Sequence, residues 1–92
     1  MFVLVSYDVA DDRRRGKIAR ALQDFGGERV QYSVFECYLT ARNRARLQER
    51  LANVIHPDED SIRIYRLCDQ CRGDALLLGC AQPVEEPALR II

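Results

Sequence analysis

Two hydrophobic periods alternate along this chain, and that alternation limits what it can fold into more tightly than any single residue does. Residues 2–8 (FVLVSYD) form a short β-branched and aromatic run ending in a carboxylate, the pattern of a buried strand. The period then changes. Ile18, Leu22 and Phe25 recur at i, i+4, i+7, which predicts a helix over residues 12–25 with Asp11 or Asp12 as its N-cap. Gly26-Gly27 stops that helix. Residues 28–39 return to period two, but with a change of parity: Val30, Tyr32 and Val34 are even, whereas Phe35, Cys37 and Leu39 are odd. Strand side chains alternate faces, so the switch predicts a tight turn or a bulge near Ser33. Thr40 can cap a second helix over 41–54, with Leu47, Leu51 and Val54 or Ile55 facing inward, and His56-Pro57 ends it. The acidic loop Asp58-Glu59-Asp60 leads into a strand over 61–67 (SIRIYRL). A last apolar run, Ala75 to Cys80, predicts a fifth strand.

The resulting order, β-α-β-β-α-β with an additional C-terminal strand, predicts an α+β fold: a ferredoxin-like sandwich with both helices on one face of the sheet. Ninety-two residues make one domain, assigned to residues 1–80, and residues 81–92 form a Pro-punctuated tail. A chain this short buries only about 60–65% of its unfolded surface, so its own core is thin. The face without helices needs a cover. A second protomer stacking its sheet there predicts a homodimer with facing sheets, and the tail, ending Leu89-Arg90-Ile91-Ile92, is expected to pack on the partner protomer or on another protein.

Composition excludes several classes. At 48% hydrophobic and 30% charged the chain is a folding sequence, and no apolar run approaches the ~20 residues that cross a bilayer. MFVLVSYD lacks a charged leader region and meets Asp8 too early for a signal peptide, which predicts a cytoplasmic protein with reduced thiols. The net charge is zero, yet residues 1–50 carry +3 and residues 51–92 carry −3. Thirteen of the fourteen cations are Arg, the side chain suited to bidentate phosphate contacts.

Asp8 closes the first strand, where it is either a turn-forming carboxylate or a metal ligand. Mg²⁺ commonly takes one or two carboxylates and keeps several waters, so a symmetric dimer would complete a site with its second Asp8. Arg13, Arg14, Arg15 and Lys17 crowd the first turn of a helix whose dipole they oppose, so helix stability does not explain them. They form either an anion site, made by backbone N–H groups and guanidiniums together, or a solvated cationic face offset by Asp11 and Asp12. Arg42, Arg44, Arg46 and Arg50 fit a solvated face of the second helix. Cys68-x-x-Cys71 with Cys80 and Cys37 could supply soft ligands, but a single CxxC lacks the paired pattern of a closed zinc site, and zinc is disfavoured. A redox CxxC opens a helix after a strand, a context not expected here. His56, alone beside a proline, supports no triad.

The segments VLVSYDVADDRRRGKIARAL, ERVQYSVFEC and DSIRIYRLC resemble the small CRISPR-associated adaptation protein family, collinearly over about residues 1–80. The resemblance implies a ferredoxin-like homodimer and an Mg²⁺-dependent endonuclease whose catalytic, metal-binding carboxylate is Asp8. It implies nucleic-acid-binding roles for Arg15, Lys17 and Arg29, and a shared cleft beside Tyr7, Ser33 and Phe35. The implied partner is the CRISPR spacer integrase, whose dimers the small protein bridges, and the implied substrate is single-stranded RNA or duplex DNA. A non-catalytic scaffold and a toxin-like endoribonuclease of similar fold are the competing readings.

Overall fold

The computed structural model describes residues 1–84. Seven elements follow in order: β1 (Phe2–Asp8), α1 (Asp12–Asp24), β2 (Glu28–Gln31), β3 (Val34–Tyr38), α2 (Ala41–Ala52), β4 (Ser61–Leu67) and α3 (Asp69–Gly73). The four strands form an antiparallel sheet in the order β2-β3-β1-β4, so the first strand lies inside and β2 and β4 are the edges. This is the ferredoxin-like arrangement expected from the alternating periods.

Local chemistry explains each boundary. The Asp11 carboxylate accepts from the Arg14 N–H at 2.9 Å and starts α1. Thr40 Oγ1 does the same for α2, accepting from the Asn43 N–H at 3.1 Å. Gly26 turns the chain with φ of 81°, and a Cβ on Gly27 would meet Cys37 Sγ at 2.6 Å, so both glycines are demanded where α1 ends. The parity switch is real: Tyr32 and Ser33 form the turn, and the register shifts between Arg29 and Gln31.

The core lies between the sheet and α1 and α2. Val3, Val5, Phe35, Cys37, Ile18, Leu22 and Leu47 are completely shut from solvent, and Tyr7 and Leu51 nearly so. Phe25, Val54 and Ile55 close its margin. Paired residues share a face, so the register puts Phe2, Leu4, Ser6 and Asp8 on the other side of the sheet, with Val34, Glu36 and Tyr38 of β3 and Ser61, Arg63, Tyr65 and Leu67 of β4. Among the described residues, no helix longer than α3 stands over that face.

The C-terminal region departs from expectation. Residues 75–80 form no strand; Leu76 and Leu78 are 83% and 76% exposed. Instead Cys68 caps the short helix α3, the chain turns at Gly79, and Val84 returns to bury itself on the same protomer, its carbonyl accepting from the Tyr38 hydroxyl at 3.4 Å. An apolar run becomes a strand only where a sheet edge pairs with it, and within one chain residues 75–80 take neither edge. The expected packing of the tail's end falls on residues 85–92, which lie outside the described residues.

Candidate functional site

Antiparallel pairing brings the end of β1 beside the start of β4. Asp8 is exposed there, opposite Ser61, and a hollow lined by Ser6, Tyr7, Asp8, Ser61 and Arg63 opens on the helix-free face. Its polar groups are a carboxylate, two hydroxyls and a guanidinium. Arg63 escaped the sequence reading. The alternation within SIRIYRL, which sets Ser61, Arg63 and Tyr65 on one parity, was the signal for it.

The expected basic cluster splits in two. Arg14 is committed to the protein: its Nε donates to Asp60 at 2.7 Å and its Nη2 to Glu59 at 3.1 Å. Asp60, whose side chain is shut from solvent, also accepts from the His56 N–H at 2.8 Å. These bonds, the Arg14 one foremost, hold its carboxyl below the usual Asp range. Arg15 donates to the carbonyls of Val9 and Ala10, at 3.0 and 3.2 Å, and pairs with Asp12. It therefore clamps the loop after Asp8. Most of the donors these two residues would offer a phosphate already have protein acceptors. Arg13 and Lys17 are exposed and have no ion-pair partner among the described residues. On the second helix Arg50 reaches Asp24 at 2.8 Å, an exposed pair of little energetic consequence.

Arg29 lies on the helix-side face beside its register partner Phe35, with its guanidinium 5.2 Å from the Phe35 ring centroid. Phe35 is fully buried and stacks against Tyr7 at 6.3 Å, so it belongs to the core and lines no cleft in the single chain. Tyr7 is 3% exposed; its hydroxyl reaches the Tyr32 carbonyl at 3.5 Å and its N–H the Ser33 carbonyl at 3.1 Å. Tyr7 and Ser33 thus fix the β2–β3 turn. The pleat sets Asp8 on one face of the sheet and Tyr7, Arg29 and Phe35 on the other.

The cysteines are equally divided. Cys37 is buried on the helix side, and burial pushes its thiol up to about 11. Cys68 and Cys71 are exposed where α3 begins, and the Cys71 N–H donates to Cys68 Sγ at 3.4 Å. Hydrogen bonding from Cys71 lowers the Cys68 thiol, while that with Cys68 raises the Cys71 thiol. The CxxC does open a helix after a strand, contrary to expectation, because the capping role of Cys68 was not legible in its residue type. Among the described residues no three of His, Cys, Asp and Glu come together as a metal cluster. Nor is any helix among them long and apolar enough to cross a membrane.

The chain is thus a small ferredoxin-like protein with a carboxylate at the open end of its inner strand and arginines on both sides of that end. Comparison with known proteins narrows the class. The family described as "CRISPR associated protein Cas2" matches residues 1–75. A protein of Chloroflexus aurantiacus named CRISPR-associated endoribonuclease Cas2 1 is 44% identical over 86 residues, 92% of this chain and 91% of that one. The crystal structure of Streptococcus pyogenes Cas2 superposes with a TM-score of 0.76 at 37% identity, covering 86% of this chain and all of that one. A chain of a partial Cas6-RT-Cas1–Cas2 complex aligns with a TM-score of 0.72 at 29% identity, over 92% of this chain and 91% of its own. The chain belongs to the Cas2 family of CRISPR-associated proteins.

Proposed function

We propose that this protein is a cytoplasmic, metal-dependent endonuclease that cleaves phosphodiester bonds of RNA or DNA as a homodimer and serves CRISPR spacer acquisition beside the integrase. The observation that carries this reading is the placement of Asp8, exposed on the helix-free face in a hollow it shares with Ser6, Ser61 and Arg63. The donor set fits Mg²⁺: a carboxylate and hydroxyl oxygens are hard ligands, and neither His nor Cys lines the hollow. One chain brings one carboxylate, so the partner's copy of Asp8 would supply the second. Held there, Mg²⁺ would supply Lewis acidity toward a phosphate and an attacking water.

The protein's own groups have separate tasks. Asp8 would hold the cation. Arg63 holds a non-bridging phosphate oxygen in the same hollow, where its charge gains strength as the scissile phosphate becomes more negative. Arg13, Lys17 and Arg29 hold neighbouring phosphates, and such contacts bring affinity without sequence preference. Arg15 keeps the loop after Asp8 in place and so positions the carboxylate. Dimerisation through the helix-free face covers Leu4 and Tyr65.

A second reading, the non-catalytic scaffold for the integrase, has one observation in its favour: no candidate general base stands beside the single carboxylate. One experiment separates them. Purified wild type and Asp8→Asn are incubated with single-stranded RNA and with duplex DNA, in Mg²⁺ or in EDTA, and binding is measured in parallel. Cleavage by wild type in Mg²⁺ alone, lost in the variant, is the expected result. Equal cleavage by both proteins would assign the activity to a contaminant, and binding without any cleavage would assign the scaffold.

A further inference from the structure

The most exposed aromatic ring among the described residues is Tyr32, at 70% in the turn between β2 and β3. Sequence parity put a turn there but gave the ring no role. Its surroundings do. The Arg15 guanidinium lies 5.7 Å from the Tyr32 ring centroid and that of Arg29 lies 6.0 Å from it. Arg29 is itself held against Phe35, and Arg15 against the Val9 and Ala10 carbonyls, so both cations are fixed from behind. The turn's backbone is fixed as well, through the Tyr7 hydroxyl and the Tyr32 carbonyl.

We infer that Tyr32 is a stacking platform for an unpaired nucleobase, with Arg29 and the exposed Arg13 taking the phosphates on either side. This rests on the nucleic-acid reading above and deepens it by naming the strand state: a single strand engages this site, a duplex does not. An aromatic side chain left largely in water at a turn forgoes the burial that normally accompanies so large an apolar surface. Two cation–π contacts orient the ring without covering it, so less freedom is lost when a base arrives. Every base has a π-face, so the platform is tolerant of sequence, but a paired and stacked base cannot reach it without leaving its helix. The platform is on the helix side of the sheet and Asp8 on the other, at the same end of β1. A strand that stacks on Tyr32 must therefore pass around the end of the sheet to reach the carboxylate.

The chain contains no Trp, so Tyr32→Trp installs a single reporter at the site. Labelled single-stranded RNA of about 12 nucleotides and the matching duplex are titrated, without divalent metal, into wild type, Tyr32→Phe, Tyr32→Ala and Tyr32→Trp. Single-strand affinity should fall about tenfold in Tyr32→Ala, stay within about twofold in Tyr32→Phe, and leave duplex affinity unchanged. The Trp emission should be quenched by the single strand and not by the duplex. Unchanged single-strand affinity in Tyr32→Ala, equal losses in the Phe and Ala variants, or Trp emission indifferent to the single strand would each overturn the platform. If wild type binds neither nucleic acid, the nucleic-acid reading itself falls and the platform with it. Tyr32 is largely exposed, and Tyr32→Ala should melt with wild type, so a folding defect would show separately.

Discussion

The two faces of the sheet are made by the same strands and obey opposite rules. On the helix side Val3, Val5, Phe35 and Cys37 have no exposure at all and meet Ile18, Leu22 and Leu47, which are equally closed. On the other side Leu4, Ser6, Asp8, Glu36, Arg63 and Tyr65 mix apolar, polar and charged groups within the same register. The first face holds the fold together, and only its margin, at Arg29 and the Tyr32 turn, reaches solvent. The second is a half-finished surface: too apolar at Leu4 and half-exposed Tyr65 to be indifferent to water, too charged at Asp8 and Arg63 to be a second core. Burial was therefore assigned to one set of alternating residues, and the exposed polar groups of β1 and β4 to the other.

The sharpest way to break that division is to change one residue on each face. Asp8→Asn should remove metal-dependent cleavage entirely while leaving the urea midpoint where it is, since the carboxylate is exposed and supports no packing. Phe35→Ala should do the reverse in kind. The ring is fully buried between Tyr7 and the Arg29 guanidinium, and its loss should cost about 3–5 kcal/mol in equilibrium urea denaturation. An Asp8→Asn protein that unfolds as early as Phe35→Ala would make the carboxylate a structural residue. That result would also remove the main support for the catalytic site.

How much of this was legible in the sequence follows from the same contrast. The helix-side face was readable because local periodicity writes it: Ile18 and Leu22, Leu47 and Leu51, and the parity of Phe35 and Cys37 each belong to one element. The exposed strand-end position of Asp8 was readable because a carboxylate closes an apolar run there. The partners of Arg14 were not, since Asp60 is 46 residues away and only the fold brings it close. The local view of the cations at the helix start showed repulsion without the remote compensation that Arg14 finds. Arg63 and Tyr32 were missed for a related reason: a strand Arg and a turn Tyr acquire meaning only from the neighbours that register supplies. Ala75 to Cys80 misled because apolar composition signals a strand without saying whose sheet it joins.

The Arg14–Asp60 pair sharpens the difference between arginines that hold and arginines that bind. Arg14→Ala should lower stability, whereas Arg13→Ala should leave it unchanged and weaken nucleic-acid binding instead. The loss should also depend on pH with a definite sign. The carboxyl of Asp60 is lowered in the folded protein, chiefly by Arg14 and then by the His56 N–H, so the unfolded chain binds its proton more readily. The pair's contribution is thus complete above the ordinary Asp range and disappears as pH falls through the lowered folded value. Wild type should lose stability faster than Arg14→Ala over that acidic window, and the two urea midpoints should converge. Parallel acid titrations that keep their separation would place the effect of Arg14 outside this pair.

The smallest effect expected belongs to the helix-free face, and its sign is opposite. Glu36 is opposite Glu28 across β2 and β3, and partial burial first, then the Glu28 charge, raises its carboxyl above the ordinary Glu range. Here the folded protein holds the proton more readily than the unfolded chain. Stability from this group therefore falls as pH rises from the ordinary Glu value to the raised one, and the penalty is complete above it. Glu36→Gln removes the charge while keeping the shape, so at neutral pH it should stabilise the chain by up to about 1 kcal/mol. Below the ordinary Glu range the gain should vanish. A sheet face finished by its own chain would have no reason to set two carboxylates against each other, whereas a face shaped for contact can tolerate the cost. If Glu36→Gln instead destabilises at neutral pH, the ionised carboxylate is engaged by a cation, and this part of the face is a structural surface after all.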